Sequence, residues 1–299
     1  MEHSAAEPFI DEPSKAPADA PLLGFIGQGW IGKNYADSFE DRGFQVIRYS
    51  NEISYSANKD AIGACDIVFI AVPTPTTPTG FDDSIVREVI SLVGKGKSAV
   101  IKSTIPPGTT KSIQEDNKEI FVFHNPEFLR EADARFDVDH PIRTIIGKGG
   151  DSPEHQTGAE EILAVMPKAP YELITDGATA EFIKYTHNTF GYSLVLFSNI
   201  LYDLAQSFGV EWDPVRESLA NNPWIPGKYI QPVHKGGRGA GGDCFIKDFA
   251  AFRGLYERMV EDPKGLALLR AYEEKNNELL RISGKDLDLL NGVYGQPKK

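Results

Sequence analysis

The sequence predicts an α/β fold: a doubly wound parallel sheet, then one long connecting helix, then a small all-helical region. Three observations predict it. A glycine turn, Gly27-Gln28-Gly29-Trp30-Ile31-Gly32, lies between a short apolar run and an amphipathic stretch. Apolar strand-like runs then alternate with helical patterns as far as about Thr175. From Gly177 onward the strand signals stop and helical periodicity takes over. The expected organisation is a disordered tail over 1–20, a Rossmann-like domain over 21–176, a connecting helix over 177–208, a helical domain over 209–290 and a second tail over 291–299.

Composition sets the outer limits. At 299 residues, with 41% apolar and 25% charged residues, the chain reads as globular. A formal charge of −12 and an isoelectric point near 5.0 argue against nucleic acid or an anionic membrane as general partners. No apolar run is long enough to span a bilayer, and no basic region precedes an apolar core at the start, so no secretory leader is expected. Two cysteines, Cys65 and Cys244, are too few for a disulfide framework and point to the cytoplasm. No His/Cys/Asp/Glu spacing suggests a metal.

In chain order, Leu22–Ile26 reads as a buried strand and residues 31–42 as an amphipathic helix stopped by Gly43. The turn between them is G-x-G-x-x-G in the context that gives it meaning. Its first glycine makes the turn, its second admits a pyrophosphate, and its third lets helix pack on strand. Gly27, Gln28, Gly29, Trp30, Ile31 and Gly32 are therefore candidate dinucleotide-binding residues. A plain tight turn is the alternative. The second strand, Phe44–Tyr49, ends at Ser50 where an acid would be expected to bind a ribose. Arg48 stands two residues earlier, so NADP stays open beside NAD.

A third strand, 66–72, ends in a proline-rich segment with Pro73 and Thr74. It either contacts ligand at the sheet's carboxyl edge or is a stiff connector. A helix over 82–94 and a strand over 98–102 lead to Ser103-Thr104-Ile105-Pro106, whose hydroxyls bind ligand or cap the next helix. The strand at 120–123 runs into His124-Asn125-Pro126-Glu127-Phe128-Leu129-Arg130-Glu131. Glu127 and Glu131, four apart, would share a face on a helical turn, for acid/base work or simply as helix-dipole partners. Further strands are expected at 144–147 and 171–175, with a helix near 153–166 between them.

Residues 178–208 read as one helix with an apolar stripe through Ile183, Phe190, Leu194, Phe197, Leu201 and Leu204. Lys184 and Asn188 lie one turn apart on it, as a functional pair or a solvated face, and nearby His187 reads as structural. A helix over 213–220 would start with Asp213 as its cap and Pro214 in its first turn. A glycine-rich loop, Gly236 to Gly242, then presents Asp243 and Cys244, with Asp248 four residues further on. Such a loop exposes a thiol, although a buried inert cysteine is the plainer reading. Helices near 245–257 and 266–283 close the fold.

Together these motifs resemble the UDP-glucose/GDP-mannose dehydrogenase family, from Leu22 to about Asn277. The matching stretches are the glycine turn, Val72-Pro73-Thr74-Pro75, Ser103-Thr104-Ile105-Pro106, Asn125 to Glu131, Glu181-Phe182-Ile183-Lys184 through Asn188, and Gly241 to Asp248. The resemblance implies oxidation of a nucleotide sugar's C6 alcohol to a carboxylate with two NAD. UDP-glucose is the first substrate expected. Cys244 would be the nucleophile, Lys184 and Asn188 the oxyanion stabilisers, and Asp248, Glu127 and Thr104 the residues that order water. Ser50, Pro73, Thr74, Thr104 and Glu131 would join the glycine turn at the cofactor. Phe128, Leu129, Lys184, Asn188, Lys235 and Gly241 would contact the sugar nucleotide. The family also implies a homodimer built around the long helix. A single-step 3-hydroxyacid-type dehydrogenase and a non-catalytic cofactor or nucleotide-sugar binding module are the rival readings.

Three departures stand out. The family's C-terminal nucleotide-binding domain is not expected in this chain. Its Gly-Gly-Ser-Cys is Gly-Gly-Asp-Cys here, which sets an anion beside the thiolate unless Lys184 or Lys247 offsets it. Where the family has Arg-Ile-Gly, this chain has Trp224-Ile225-Pro226, with Lys228 the nearest cation.

Overall fold

The computed structural model describes residues 13–296. The strands in chain order are β1 (Leu23–Ile26), β2 (Val46–Tyr49), β3 (Ile67–Ile70), β4 (Thr76–Thr77), β5 (Gly80–Phe81), β6 (Ser98–Ile101), β7 (Phe121–His124), β8 (Thr144–Lys148), β9 (Glu172–Asp176), β10 (Val233–His234) and β11 (Gly237–Arg238). The helices are α1 (Trp30–Asp41), α2 (Ile53–Ser56), α3 (Ser84–Val89), α4 (Thr109–Asp116), α5 (Ala134–Asp139), α6 (Pro153–Val165), α7 (Gly177–Ser207), α8 (Trp212–Ala220), α9 (Gly242–Met259), α10 (Pro263–Ser283) and α11 (Leu287–Tyr294).

The chain divides into two compact units, one of residues 13–74 and 83–184, the other of 75–82 and 185–296. The expected boundaries were 176/177 and 208/209; the division instead falls inside α7, between Lys184 and Tyr185. Residues 1–12 and 297–299, within the two expected tails, lie outside the described residues.

The first unit is built on a sheet in the order β2-β1-β3-β6-β7-β8-β9. β1, β3 and β6 are buried along their whole length, as the interior of a sheet covered on both faces requires. Phe25 and Phe69 stack on each other, and Phe39 of α1 packs on both at a tilt. The sheet is parallel except at one place: β8 runs antiparallel to β7, pairing Phe123 with Lys148 and His124 with Gly147. An apolar run buried on both faces reads the same in either direction, so the sequence does not encode this reversal. Of the tail expected over 1–20, the described residues 13–20 pack against the first unit. Ala16 donates its N–H to the Arg42 carbonyl, and Arg42 Nε donates to the Ser14 carbonyl. Ala16 and Ala20 also pack on the core.

The second unit centres on Tyr192 and Leu196 of α7, Phe249 of α9 and Leu279 of α10. Tyr192 and Phe249 stack at 3.9 Å between ring centroids. The proline-rich segment forms the small β4–β5 hairpin and belongs to this unit. Thr76 Oγ1 donates to the Lys247 carbonyl. Helix α8 starts at Trp212, with Glu211 rather than Asp213 at its cap. The tail expected from residue 291 is helical as far as Tyr294, because Leu290 and Val293 of α11 pack on Ile246 and Leu280.

Candidate active-site residues

The glycine turn has the geometry a dinucleotide needs. Gly27 has φ +91°, and a Cβ there would lie 2.2 Å from the Ala71 carbonyl oxygen. A Cβ on Gly32 would lie 1.9 Å from the Gly27 carbonyl oxygen. Both glycines are thus required by the fold. Gly29 is different: a Cβ there meets nothing within 4 Å, so the space in front of it is open. Helix α1 begins immediately after with no side-chain cap, leaving the N–H groups of its first turn for an anion. These features fit a bound pyrophosphate. Gln28 folds back, Nε2 donating to the Gly27 carbonyl at 3.2 Å, and Ile31 packs on the core. Their contribution to ligand binding would be backbone, not side chain.

The second strand's end bears on the choice between NAD and NADP. Arg48 is paired with Asp37 and Glu40 of α1, each at 2.6 Å. Its guanidinium is held by two carboxylates, so it is not a ready partner for a 2′-phosphate. Ser50 Oγ accepts the N–H of Glu52. At the ends of β3 and β6, Thr74 and Thr104 are both buried, and Thr74 Oγ1 donates to the Thr104 carbonyl at 2.9 Å. Ser103 Oγ donates to the Val72 carbonyl at 2.6 Å. The two loops therefore brace each other, with Pro73 exposed.

Glu127 and Glu131 do not share a face. Residues 125–130 are not helical; Glu127 is buried and Glu131 exposed. Glu127 pairs with Lys184: Nζ donates to Oε1 at 2.8 Å and to the Glu127 carbonyl at 2.6 Å. Leu129 N–H donates to Oε2. Burial alone would raise the Glu127 pKa; the Lys184 cation and these hydrogen bonds outweigh it and hold the carboxyl below its usual range. Phe128 lies under the Arg143 guanidinium, 3.8 Å from the ring centroid.

The sequence reading overlooked two charged residues here. Lys102, fully buried at the end of β6, donates to Asn125 Oδ1 at 2.7 Å and sits 3.7 Å from the centre of the Tyr35 ring. Burial pushes its pKa down to about 7; Glu127 opposes that and Lys184 adds to it. Glu181 was quoted as part of a motif without a role. It accepts the N–H groups of Gly108 and Thr110 and the Thr110 hydroxyl, at 2.5, 2.6 and 2.5 Å, and so caps α4 from α7. Burial raises its pKa to about 7 despite those bonds. A lysine immediately after a fully buried, mostly apolar strand was the available signal for Lys102.

In the second unit, α9 begins at Gly242, so Cys244 is its third residue, and it is exposed. A thiol in the first turn of a helix is where the dipole favours thiolate. Cys65 is buried and neither cysteine is in a disulfide. Asp248 is buried and bracketed: Asn188 Nδ2 donates to Oδ2 and Lys247 Nζ to Oδ1, both at 2.6 Å. The two lysines expected to offset Asp243 are therefore each held by another carboxylate, Lys184 by Glu127 and Lys247 by Asp248. Lys235 has φ +50° and, with Gly236, forms the turn of the β10–β11 hairpin. Gly241 is closed in by Asp286, whose Oδ2 would lie 2.0 Å from a Cβ there.

Residues 48–166 match the NAD binding domain of the UDP-glucose/GDP-mannose dehydrogenase family, and residues 178–278 match its central domain. The chain belongs to this family. The glycine turn lies ahead of the matched segment, so its assignment rests on the geometry above. Among curated relatives, the putative UDP-glucose 6-dehydrogenase YtcA of Bacillus subtilis (strain 168) is 29% identical over 256 residues, 79% of this chain and 56% of that protein. The chain thus spans a little over half the length of such relatives. The UDP-glucose dehydrogenase of the archaeon Pyrobaculum islandicum superposes with a TM-score of 0.76 at 28% identity, over 89% of this chain and 70% of that one. A 3-hydroxyisobutyrate dehydrogenase of Mycobacterium tuberculosis shares the fold at 13% identity, with a TM-score of 0.67, over 92% of this chain and 98% of that one. Among the described residues there is no metal-binding cluster, and no helix is long and apolar enough to cross a membrane.

Proposed function

We propose that this chain oxidises the C6 alcohol of a nucleotide sugar to the carboxylate, UDP-glucose being the first substrate to test. The observation that carries the reading is the exposed Cys244 in the first turn of α9, inside the segment matched to the family's central domain. Bound NAD would accept one hydride in each of two steps. The chain's own residues do the rest. The Cys244 thiolate adds to the carbonyl carbon of the C6 aldehyde left by the first step, giving a thiohemiacetal. Loss of the second hydride makes this a thioester; water then cleaves the carbon–sulfur bond, releasing the carboxylate and returning the thiol. Lys184 and Asn188 steady the oxygen anion, and Glu127, Asp248 and Thr104 order the water. Asp248 has one of its donors already in place in Asn188. Phe128, Leu129, Lys235 and Gly241 retain the proposed substrate contacts, and Ser50, Pro73, Thr74 and Glu131 the cofactor contacts.

The reading is tested by alkylation. Iodoacetamide should modify Cys244 and spare buried Cys65, with turnover falling in step with Cys244 labelling. Turnover that survives complete labelling of Cys244 would favour the single-step dehydrogenase instead.

A homodimer belongs to the same reading. Phe190, Phe197 and Leu204 of α7 are 59%, 52% and 55% exposed, an apolar row at heptad spacing, and Phe182 and Ile200 of the same helix are exposed as well. The expected result is a dimeric mass by light scattering, lowered by Phe197→Glu. A reducing, cytoplasmic compartment is proposed from the two cysteines, neither of them in a disulfide.

A further inference from the structure

The glycine loop that leads to Cys244 is anchored on one side by Arg238, whose guanidinium bonds Asn199 and Asp203 of α7, and along its backbone by side chains from α10 and the turn after it. Ser283 Oγ accepts the Arg238 N–H at 3.0 Å. Lys285 Nζ donates to the Gly239 carbonyl at 3.0 Å. Asn276 grips Ala240 at both ends, accepting its N–H at 2.7 Å and donating to its carbonyl at 3.0 Å. Asp286 Oδ2 accepts the Gly242 N–H at 2.8 Å. Gly242 is the first residue of α9, and Gly241 before it offers no side-chain cap.

Asp286 is the telling member. By position it is the cap of α11, yet its carboxylate makes no capping bond to α11. It turns instead to the first N–H of α9. It does so from a left-handed backbone, φ 53° and ψ 35°, which few non-glycine residues adopt. An uncapped helix start and an unfavourable backbone are both tolerated at this one residue. What they secure is the seat of α9's first turn. The fit leaves no room for a side chain at Gly241, where a Cβ would meet Asp286 Oδ2 at 2.0 Å and Lys285 Cε at 2.8 Å.

We propose that Asp286 is a positioning residue for Cys244: it caps α9 from outside, and together with Asn276, Ser283 and Lys285 it fixes the loop that presents the thiol. This rests on the reading of Cys244 as the nucleophile. Asp286 itself takes no part in the chemistry; it acts through the Gly242 N–H.

The test compares Asp286→Ala, which removes the acceptor, with Asp286→Asn, which keeps an oxygen acceptor without the charge. Amide hydrogen exchange is followed over residues 238–246, and kcat and KM are measured with UDP-glucose and NAD. In Asp286→Ala, exchange in this segment should rise roughly tenfold, the scale of one lost hydrogen bond at a helix start. Its kcat should fall at least as much, with KM within about twofold of wild type, since Asp286 touches no substrate. Asp286→Asn should follow wild type in both. Lys285→Met, which loses the Gly239 contact and the cation beside Asp286 but keeps the Asp286 acceptor, should raise exchange several-fold and stands in if Asp286→Ala does not fold. Exchange unchanged in Asp286→Ala, exchange raised with kcat intact, or Asp286→Asn behaving like Asp286→Ala would each overturn the proposal. A wild-type protein without turnover on any nucleotide sugar would sink the functional reading, while the exchange comparison would still decide the role of Asp286.

Discussion

Lys184→Met should turn Glu127 from a stabilising anion into a buried liability. In the wild type both side chains of the pair are only 4% exposed, and Nζ reaches Oε1 at 2.8 Å. Removing one partner of such a pair strands the other charge, at a cost of about 3–5 kcal/mol. For a chain of this size that is on the order of a 10 °C fall in melting temperature. The pH dependence gives the sharper test. The Glu127 pKa is lowered in the folded wild type, so its contribution is present at neutral pH and is lost only as pH falls through the carboxylate range. Without Lys184, burial, the largest influence on Glu127, is opposed only by the Leu129 N–H and Lys102, so the folded pKa is expected above the unfolded one. The sign then reverses: the Lys184→Met penalty is largest near pH 7.5 and shrinks as acid protonates Glu127. Adding Glu127→Gln removes the stranded charge and should recover most of the loss. Thermal melts of the two single variants, the double variant and wild type, at pH 5.0 and 7.5, provide the cycle. A Lys184→Met deficit under about 1 kcal/mol at pH 7.5, or one that Glu127→Gln leaves untouched, would refute the argument.

Other predictions concern the first unit. Gly32→Ala should destabilise the fold by several kcal/mol, since the new methyl would meet the Gly27 carbonyl oxygen, whereas Gly29→Ala should melt within about 1 kcal/mol of wild type and bind NADH more weakly. Differential scanning fluorimetry and NADH fluorescence titration read the two effects. NADPH should bind at least tenfold more weakly than NADH, because Arg48 is held by Asp37 and Glu40; equal affinity would contradict the cofactor assignment. Glu181, with its folded pKa raised to about 7, should make the protein lose stability as pH climbs from about 4.5 through 7. Glu181→Gln should flatten that slope in melts across the same range.

Much of this was legible in the sequence. The glycine turn and the seven strands of the main sheet show because apolar periodicity and turn chemistry are local properties, whereas the β4–β5 hairpin was read as a proline-rich loop. Cys244, Asp248, Lys184 and Asn188 stood out as polar residues in motif order. The direction of β8 did not, since an apolar run has no arrow. Helix α7 was found within a residue at either end, and its apolar stripe was marked without assigning what covers each of its residues. In the structure Phe190, Phe197 and Leu204 are exposed, while Glu181, Lys184, Asn188 and Asn199 are buried. Periodicity marks an apolar face without saying what covers it, and here the polar candidate residues occupy the inner side. Lys102 was missed because a lysine is expected at the surface, and its shelter comes from Tyr35 and Asn125, distant in sequence. The strap on the Cys244 loop was invisible for the same reason: Asn276, Ser283 and Asp286 meet it only through the tertiary fold.

The central claim is a four-electron oxidation that passes through Cys244. Its most direct test is the NADH formed per molecule of limiting UDP-glucose, in wild type and in Cys244→Ser. The account predicts two NADH per sugar in the wild type and no more than one in the variant. One NADH per sugar in both proteins would contradict it, and would make the chain a simple dehydrogenase in which Cys244 has no covalent role.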